Sequence, residues 1–581
     1  MRTRYGGLLT LSAATLMYEL ALTRVFAVAQ GYHFAFLSLS LALLGFGASG
    51  AWLARWPAAR SPERTLSLLA AASGLAIVGS YTVLNWAPFD AYTLAWDGRQ
   101  WLPLALNYGA LIVPFLLAGL ATGLALSAWP ESTPELYAVN LCGSAAGSLA
   151  VLGALATLGV AGTVLVASAL AWVSAGAFGW AAPGFRRGWW CGLTVGVAAS
   201  GALALARPAA LDVRLSPYKP MSYALRYPGA RVGFQGWNAY SRVDIIESQG
   251  IHSAPGLSLR YAGPLPEQYA LAIDGGPLSP LTRSPSPAEA GFLAGLQGSL
   301  PHLLRPGADV LVLDPRGGLD VLLALRLGAS RVDVVAPNPL VLSAVRDRYG
   351  DYTGHIFDDP RTRITVGGPR SYLARTPGPF DLVVFSLAQA YRPMAAGSYA
   401  LGEDYTFTVD CFVAALRCLA PRGILVTQGW LQSPPAEALR LLVLARDALA
   451  QLGIADPRPH VVAYRDWGLV TVMVQRMPFG PEDLAQVRAV CEANGFDLVA
   501  APDLEPGEGN RHHVLAGAGN ERAFASVLEP QGGAAFVAHY PYDISPVTDE
   551  RPFFSHTFRW AQLSEAWRRL GRSAEPFGGG G

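Results

Sequence analysis

Seven long apolar stretches, all before about residue 207, constrain this chain more than any other feature. They run approximately 6–28, 33–54, 64–86, 102–128, 136–158, 160–182 and 188–206. Roughly 20 apolar residues cross a hydrocarbon core about 30 Å thick, so each stretch is long enough to span. The first continues directly into the second, and its end at Ala29-Gln30 lacks the small-residue pattern of a signal-peptide cleavage site. A mean hydropathy of +0.30 and a charged share of 15%, against about 25% in ordinary soluble domains, exclude a simple soluble enzyme. The chain reads as a multi-pass membrane protein, with the lipid bilayer as its first partner.

Charge and cysteine usage remove other classes. With 43 basic and 42 acidic residues the net charge is +1, so no overall field recruits nucleic acid. The basic residues are arginines apart from Lys219. Five cysteines in 581 residues exclude a disulfide-built scaffold. Cys411 and Cys418 lie seven apart on an expected helix and read as small core residues. No cysteine or histidine spacing suits a metal, and His512-His513 reads as part of a turn.

Polar groups inside the apolar stretches are few. Glu19 and Arg24 place an acid and a base in the first span. Ionisable groups in lipid are costly and face a partner or a watery path. Glu19 is expected to face other helices, with Arg24 and Asn140 as candidate partners. Asn140, Gly143 and Gly147 form a small-residue face suited to close helix packing. With seven spans, Arg2, Arg4, Arg55, Arg60, Arg64, Arg186 and Arg187 fall on one side. The opposite loops offer little beyond Arg99. Arginine-rich short loops stay cytoplasmic, which would put everything after residue 207 outside.

From about residue 208 the pattern changes to strands and helices. Arg231–Phe234, Ser241–Glu247, Leu257–Tyr261 and Tyr269–Asp274 read as short strands of a small β domain, 208–298. A βα series follows over 299–455. Strand Val310–Leu313 leads into a glycine turn, Asp314 to Asp320. Strand Arg331–Val335 ends at Ala336-Pro337-Asn338-Pro339. Asp381–Leu387 and Gly423–Gln428 are further buried strands. Alternation of this kind argues a doubly wound, mostly parallel, Rossmann-like sheet whose ligand sits beyond the carboxyl ends of the strands. Residues 456–565 read as a C-terminal α/β extension and 566–581 as a low-complexity tail.

Several stretches in this order carry a resemblance. They are Tyr18-Glu19-Leu20, Ser216-Pro217-Tyr218-Lys219, Trp237 to Val243, Asp351 to His355, Arg370-Ser371-Tyr372, Ala396 to Thr408, Gly509-Asn510-Arg511 and Thr548 to Phe554. Together they resemble bacterial inner-membrane proteins that fuse several spans to a spermidine-synthase-like domain of the class I methyltransferase fold. The resemblance implies S-adenosylmethionine or its decarboxylated form as cofactor, an amine as substrate, and a cytoplasmic domain, opposite to the side the arginine count gives. It maps cofactor contacts onto Asp314, Arg316, Gly317, Gly318, Asp320, Asn338 and Ser386, and substrate contacts onto Tyr218, Asp274 and Gln389. For Asp274 a plain hairpin-turn role is the competing reading.

The chain departs from that pattern where chemistry would occur. The first turn of such relatives reads G-x-G-G-G-x-D; here Gly317, Gly318 and Asp320 survive, but Asp314 and Arg316 replace the earlier glycines. Ala336 stands where an acid would hold the ribose hydroxyls, and Gly367 or Gly368 where another would read the adenine. Ser386 and Gln389 occupy the D-x-x-D positions whose carboxylates would deprotonate the attacking amine. No catalytic residue is therefore assigned. Two readings follow: a membrane-anchored aminopropyl- or methyltransferase-like protein, or a non-catalytic membrane protein for transport, assembly or sensing. In the second, the domain binds another ligand, a partner, or a second copy of the chain.

Overall fold

A computed structural model describes all residues except 1, 32–33, 56–60, 88, 90–92, 94–96, 183–184, 186, 377, 388–401, 433, 515–518 and 563–581. The chain divides into two compact units. One holds Met1–Tyr223 with Gln235–Val243 and Ile273–Gly276; the other holds the remainder.

The first unit is built on helices α1 (Arg2–Ala29), α2 (Ala35–Arg55), α3 (Pro62–Trp86), α4 (Trp101–Ala128), α5 (Thr133–Trp180) and α6 (Arg187–Ala206). Among the described residues, six helices are long and apolar enough to cross a membrane, where the sequence gives seven stretches. The difference lies in α5, which covers both 136–158 and 160–182. Its backbone breaks at Gly159, with φ 68° and ψ −178°, a region open essentially to glycine alone. Gly143 abuts the Leu9 carbonyl, and Ser174 donates to the Gly7 carbonyl at 2.7 Å. Residues 143 and 174 would lie about 46 Å apart on one straight helix, so α5 is two arms folded back on each other.

Contacts between neighbours give the directions. Arg4 pairs with Glu63 at 2.6 Å and Tyr18 bonds Ser80 at 2.8 Å, so α1 and α3 run parallel. Arg4 lies over Trp129 while Tyr18 packs on Phe115, so α4 runs the other way. Gly162 faces the Ala204 carbonyl and Gly196 faces Trp172, which sets α6 antiparallel to the second arm of α5. One end of the bundle therefore carries Arg2, Arg4, Arg55, Arg64 and Arg187. The other carries Arg24, the Gly159 break and Arg207.

The intramembrane expectation needs correction. Arg24 pairs with Asp274 at 2.5 Å, and Asn140 accepts from Ser12 at 2.7 Å. Glu19 is half-buried, and among the described residues no hydrogen bond or ion pair joins it to Arg24 or Asn140, which bond Asp274 and Ser12 instead. The helix itself explains this: five residues turn about 500°, which leaves Glu19 and Arg24 about 140° apart around α1.

Strands β1 (Arg231–Trp237), β2 (Arg242–Glu247), β3 (Gln268–Ile273) and β4 (Leu278–Thr282) form a four-stranded sheet in chain order. Leu257–Tyr261, expected as a strand, is instead a pair of turns in which Leu257 bonds Ala254 and Tyr261 bonds Ser258. The strand that was not foreseen, β4, contains Pro280. Proline lacks a ladder donor and is tolerated on an edge strand, which is where β4 lies.

The second unit contains an eight-stranded sheet of β5 (Asp309–Leu313), β6 (Arg331–Ala336), β7 (Thr362–Val366), β8 (Phe380–Phe385), β9 (Leu419–Trp430), β10 (Val461–Arg465), β11 (Leu469–Gln475) and β12 (Asp497–Ala500). The order is β12-β10-β11-β9-β8-β5-β6-β7. β7, β6, β5, β8 and β9 are parallel, and β11 is antiparallel to both of its neighbours. The sheet is mixed and consistent with a Rossmann-like methyltransferase fold. Apolar runs such as Val310–Leu313 and Leu382–Phe385 suit strands covered on both faces, and they are buried. The carboxyl ends of β5, β6 and β8 bring Asp314, Ala336 and Ser386 to one edge.

Candidate functional site

The turn after β5 keeps the backbone of a glycine loop without its glycines. Asp314 and Arg316 adopt φ of 53° and 47°, a left-handed region that non-glycine residues enter at a cost of about 1–3 kcal/mol. Their side chains fill space that glycine leaves open, and Arg316 Nε donates to Asp314 Oδ2 at 3.2 Å. The surviving glycines have packing reasons of their own. A Cβ on Gly317 would sit 2.0 Å from the Pro280 carbonyl oxygen, and one on Gly318 (φ 87°) would sit 2.5 Å from Ile356. Gly317 N–H also reaches Ser279 Oγ at 3.3 Å.

Across from the turn stands the end of β6. Ala336 is buried, and Asn338 caps the following helix by accepting from the Leu340 N–H at 3.1 Å. A crevice lined by Asp314, Pro315, Arg316, Ala336, Pro337, Asn338, Val341, Leu342 and Phe357 encloses about 10 Å³. That volume holds about one water molecule.

Asp320 sits in the first turn of the next helix. Desolvation pushes its carboxyl above the usual range, and the neighbouring Ser386 hydroxyl opposes the rise. Ser386 Oγ is buried and completes no hydrogen bond of normal geometry. Ser386 N–H bonds the Leu313 carbonyl at 3.2 Å, tying the ends of β5 and β8 together. Gln389 lies outside the described residues.

Asp404 joins this edge, and sequence reasoning missed it. Desolvation and the Asp314 charge both push its carboxyl up, while a hydrogen bond from Thr406 N–H at 2.9 Å and the Arg316 charge oppose them. The signal available was its place inside the run from Ala396 to Thr408.

Tyr218 and Asp274 belong to the helical unit. Asp274 (φ 52°) forms the turn after β3, and both its oxygens are committed, Oδ1 to Arg242 N–H at 2.8 Å and Oδ2 to Arg24. Lys219, buried, donates to the carbonyls of Ala27 at 2.8 Å and Asp274 at 2.9 Å. Asp274 thus occupies the hairpin-turn role and anchors the end of α1. Tyr218 is half-buried beside Lys219. Among the described residues, no group of histidine, cysteine or acidic side chains is arranged to hold a metal.

No described protein family matches the chain, and no curated protein matches it. Solved structures do. The chain is similar to a spermidine synthase in complex with the transition-state analogue AdoDATO, at 15% identity over 51% of this chain and 87% of that one, with a TM-score of 0.31. It is similar to the spermidine synthase from Thermotoga maritima, at 15% identity over 52% and 84%, TM-score 0.30. It is also similar to human methyltransferase-like protein 13 in complex with SAH, at 16% identity over 35% and 88%, TM-score 0.24.

Proposed function

We propose that this chain is a membrane-embedded protein whose Rossmann-like domain no longer takes S-adenosylmethionine or its decarboxylated form and performs neither aminopropyl nor methyl transfer. Its role is binding, of another ligand or a partner. The chemistry of the residues beside the β5 turn carries this reading. Asp314 and Arg316 put side chains along the crevice there where glycines would leave the backbone bare, and its lining holds no acid at the end of β6. Ala336 offers no acceptor for ribose hydroxyls, an absence worth roughly 1.5–3 kcal/mol for a charged acceptor. Asn338, the polar group nearest in sequence, is engaged as a helix cap.

Restoration variants test this. The acid-restoring triple Ala336→Glu, Ser386→Asp and Gln389→Asp is expected to leave spermidine formation from putrescine undetectable, because the Asp314 and Arg316 side chains still fill the crevice. Adding Asp314→Gly and Arg316→Gly is expected to give measurable cofactor binding. Turnover by the triple alone would show that only the acids were missing and would overturn the part given to Asp314 and Arg316; turnover by the unaltered chain would overturn the reading itself.

The bundle is proposed to cross the membrane seven times, α5 contributing two crossings joined at Gly159. The arginine-bearing end then lies in the cytoplasm by the usual charge bias, and the chain leaves the bundle on the opposite side. S-adenosylmethionine is a cytoplasmic cofactor, so this orientation agrees with loss of the nucleoside site. A reporter pair fused after Gly581 is expected to give alkaline phosphatase activity outside and no cytoplasmic fluorescence. The reverse result would reverse the orientation.

A further inference from the structure

A cavity of about 260 Å³ opens at the bundle end that carries the Gly159 break and Arg207. Three apolar segments end around it: the two arms of α5, which meet at Gly159, and α6, which stops at Ala206. In the crossing proposed above, those ends lie where hydrocarbon gives way to water. The volume has room for several water molecules, and so for a small polar group. All of the lining residues belong to the helical unit.

Two opposite charges line the cavity without pairing. Arg207 follows α6 with a left-handed φ of 46° and donates to the Thr157 carbonyl, near the end of the first arm. An arginine carries five N–H donors, so most of this one's remain. Asp212 is held by its backbone: its carbonyl accepts from Asn85 Nδ2 at 2.8 Å, and its N–H bonds the Ala209 carbonyl. Its side chain is exposed, and among the described residues the carboxylate has no hydrogen bond or ion pair.

Strand β1 supplies the other polar lining. Gln235 and Trp237, two residues apart, share one face of the strand and both border the cavity. A Cβ on Gly159 would sit 3.2 Å from Trp237 Nε1, so the indole edge lies against the break. Neither that N–H nor the Gln235 amide has a hydrogen-bond partner among the described residues. Arg242, 5.9 Å over the Trp237 ring, places a second guanidinium beside the indole. Arg214 is stacked on Trp86 at 3.6 Å and does not line the cavity.

These groups select a ligand by charge and by hydrogen bonding. An anion alone would face Asp212 and a cation alone would face Arg207, whereas a zwitterion matches both. The N–H donors of Arg207 and Trp237 suit a phosphate. The acceptors of Asp212 and Gln235 suit a primary ammonium, and a trimethylammonium has no N–H to give them. Leu158, Leu165 and Leu203 make an apolar wall beside the polar one. Leu203 is 41% exposed on α6, which gives acyl chains a path along the outside of the bundle.

We infer that this cavity binds the headgroup of a phosphatidylethanolamine-type phospholipid, its phosphate on Arg207 and Trp237 and its ammonium on Asp212 and Gln235. The inference rests on the membrane crossing proposed above and is independent of the nucleoside crevice.

The test is native mass spectrometry of the chain in detergent, titrated with phosphatidylethanolamine, phosphatidylglycerol and phosphatidylcholine of equal acyl chains. Glycerophosphoethanolamine, the same headgroup without chains, is the fourth probe. Phosphatidylethanolamine is expected to bind at least about tenfold more tightly than each of the others. Asp212→Asn, at an exposed position, should lose about tenfold in phosphatidylethanolamine affinity and leave phosphatidylcholine affinity unchanged. Arg207→Gln should weaken all three lipids, and Arg207→Lys should retain part of the binding. Equal affinity for the three lipids would mean an unselective lipid coat and would overturn the inference. So would an undiminished phosphatidylethanolamine preference in Asp212→Asn. Glycerophosphoethanolamine binding as tightly as the lipid would assign the cavity to a soluble zwitterion and overturn the lipid. A chain that does not cross would be released from membranes by alkaline washing; failure of this inference alone leaves it membrane-bound, with no headgroup preference.

Discussion

Replacing Arg465 by methionine is expected to lower the unfolding midpoint of the second unit by about 4–7 °C. Arg465 and Asp497 form an ion pair at 3.3 Å with side-chain exposures of 2% and 0%. The guanidinium also reaches the carbonyls of Asp466, Gly509 and His513, fastening the segment after β12 to β10. Asp497 in turn accepts the N–H groups of Arg511, His512 and His513. Breaking a buried pair by removing one partner costs about 3–5 kcal/mol, since the remaining charge is stranded. Arg465→Lys should recover little, because one ammonium cannot reproduce the planar fork that serves several carbonyls. Circular dichroism melts of the full chain in detergent measure the shift. An unchanged midpoint would mean that the three N–H donors alone satisfy Asp497.

The other large effect is expected in the membrane core. At Gly143 and Gly147 the first arm of α5 meets α1 backbone to backbone. A Cβ at either position would lie 2.3 Å from a carbonyl oxygen, of Leu9 and Ala13 respectively. Backbone cannot rotate away as a flexible side chain can, so Gly147→Val must push the helices apart. Overpacking costs about 1–3 kcal/mol, occasionally more. Here it also loosens α1, whose apolar window is 72% buried. Ser12→Ala removes only one interhelical hydrogen bond, to Asn140, worth about 0.6 kcal/mol on average in such bundles. Size-exclusion profiles and melts in detergent should therefore separate the two variants sharply. A Gly147→Val protein as monodisperse and as stable as Ser12→Ala would contradict the close contact.

The bundle was legible because length and apolarity alone decide what can span. The sequence also placed a boundary at Gly159, since the two stretches 136–158 and 160–182 meet there. The parallel strands β5, β6 and β8 were legible as uninterrupted apolar runs. Leu257–Tyr261 misled, because leucine and serine alternate with strand period in a segment that turns twice. β4 was hidden by Pro280, which period-based reading penalises and an edge strand tolerates.

The candidate site was readable as a set of departures and not as a shape. Nothing in the identity of Asp314 or Arg316 says that each keeps a left-handed backbone, because aspartate and arginine rarely adopt it. Asp404 comes from a distant stretch, and only tertiary structure places it near Asp314. The same holds for Asp274, whose charge is matched by Arg24 across 250 residues.

Titration of S-adenosylmethionine and of decarboxylated S-adenosylmethionine into the chain of residues 1–581, followed by calorimetry, addresses the central claim most directly. The expected result is no saturable heat at ligand concentrations up to about 1 mM, which bounds any affinity at roughly −4 kcal/mol. A dissociation constant in the micromolar range, about −8 kcal/mol, would contradict it and would require the Asp314–Arg316 turn to open around a bound nucleoside.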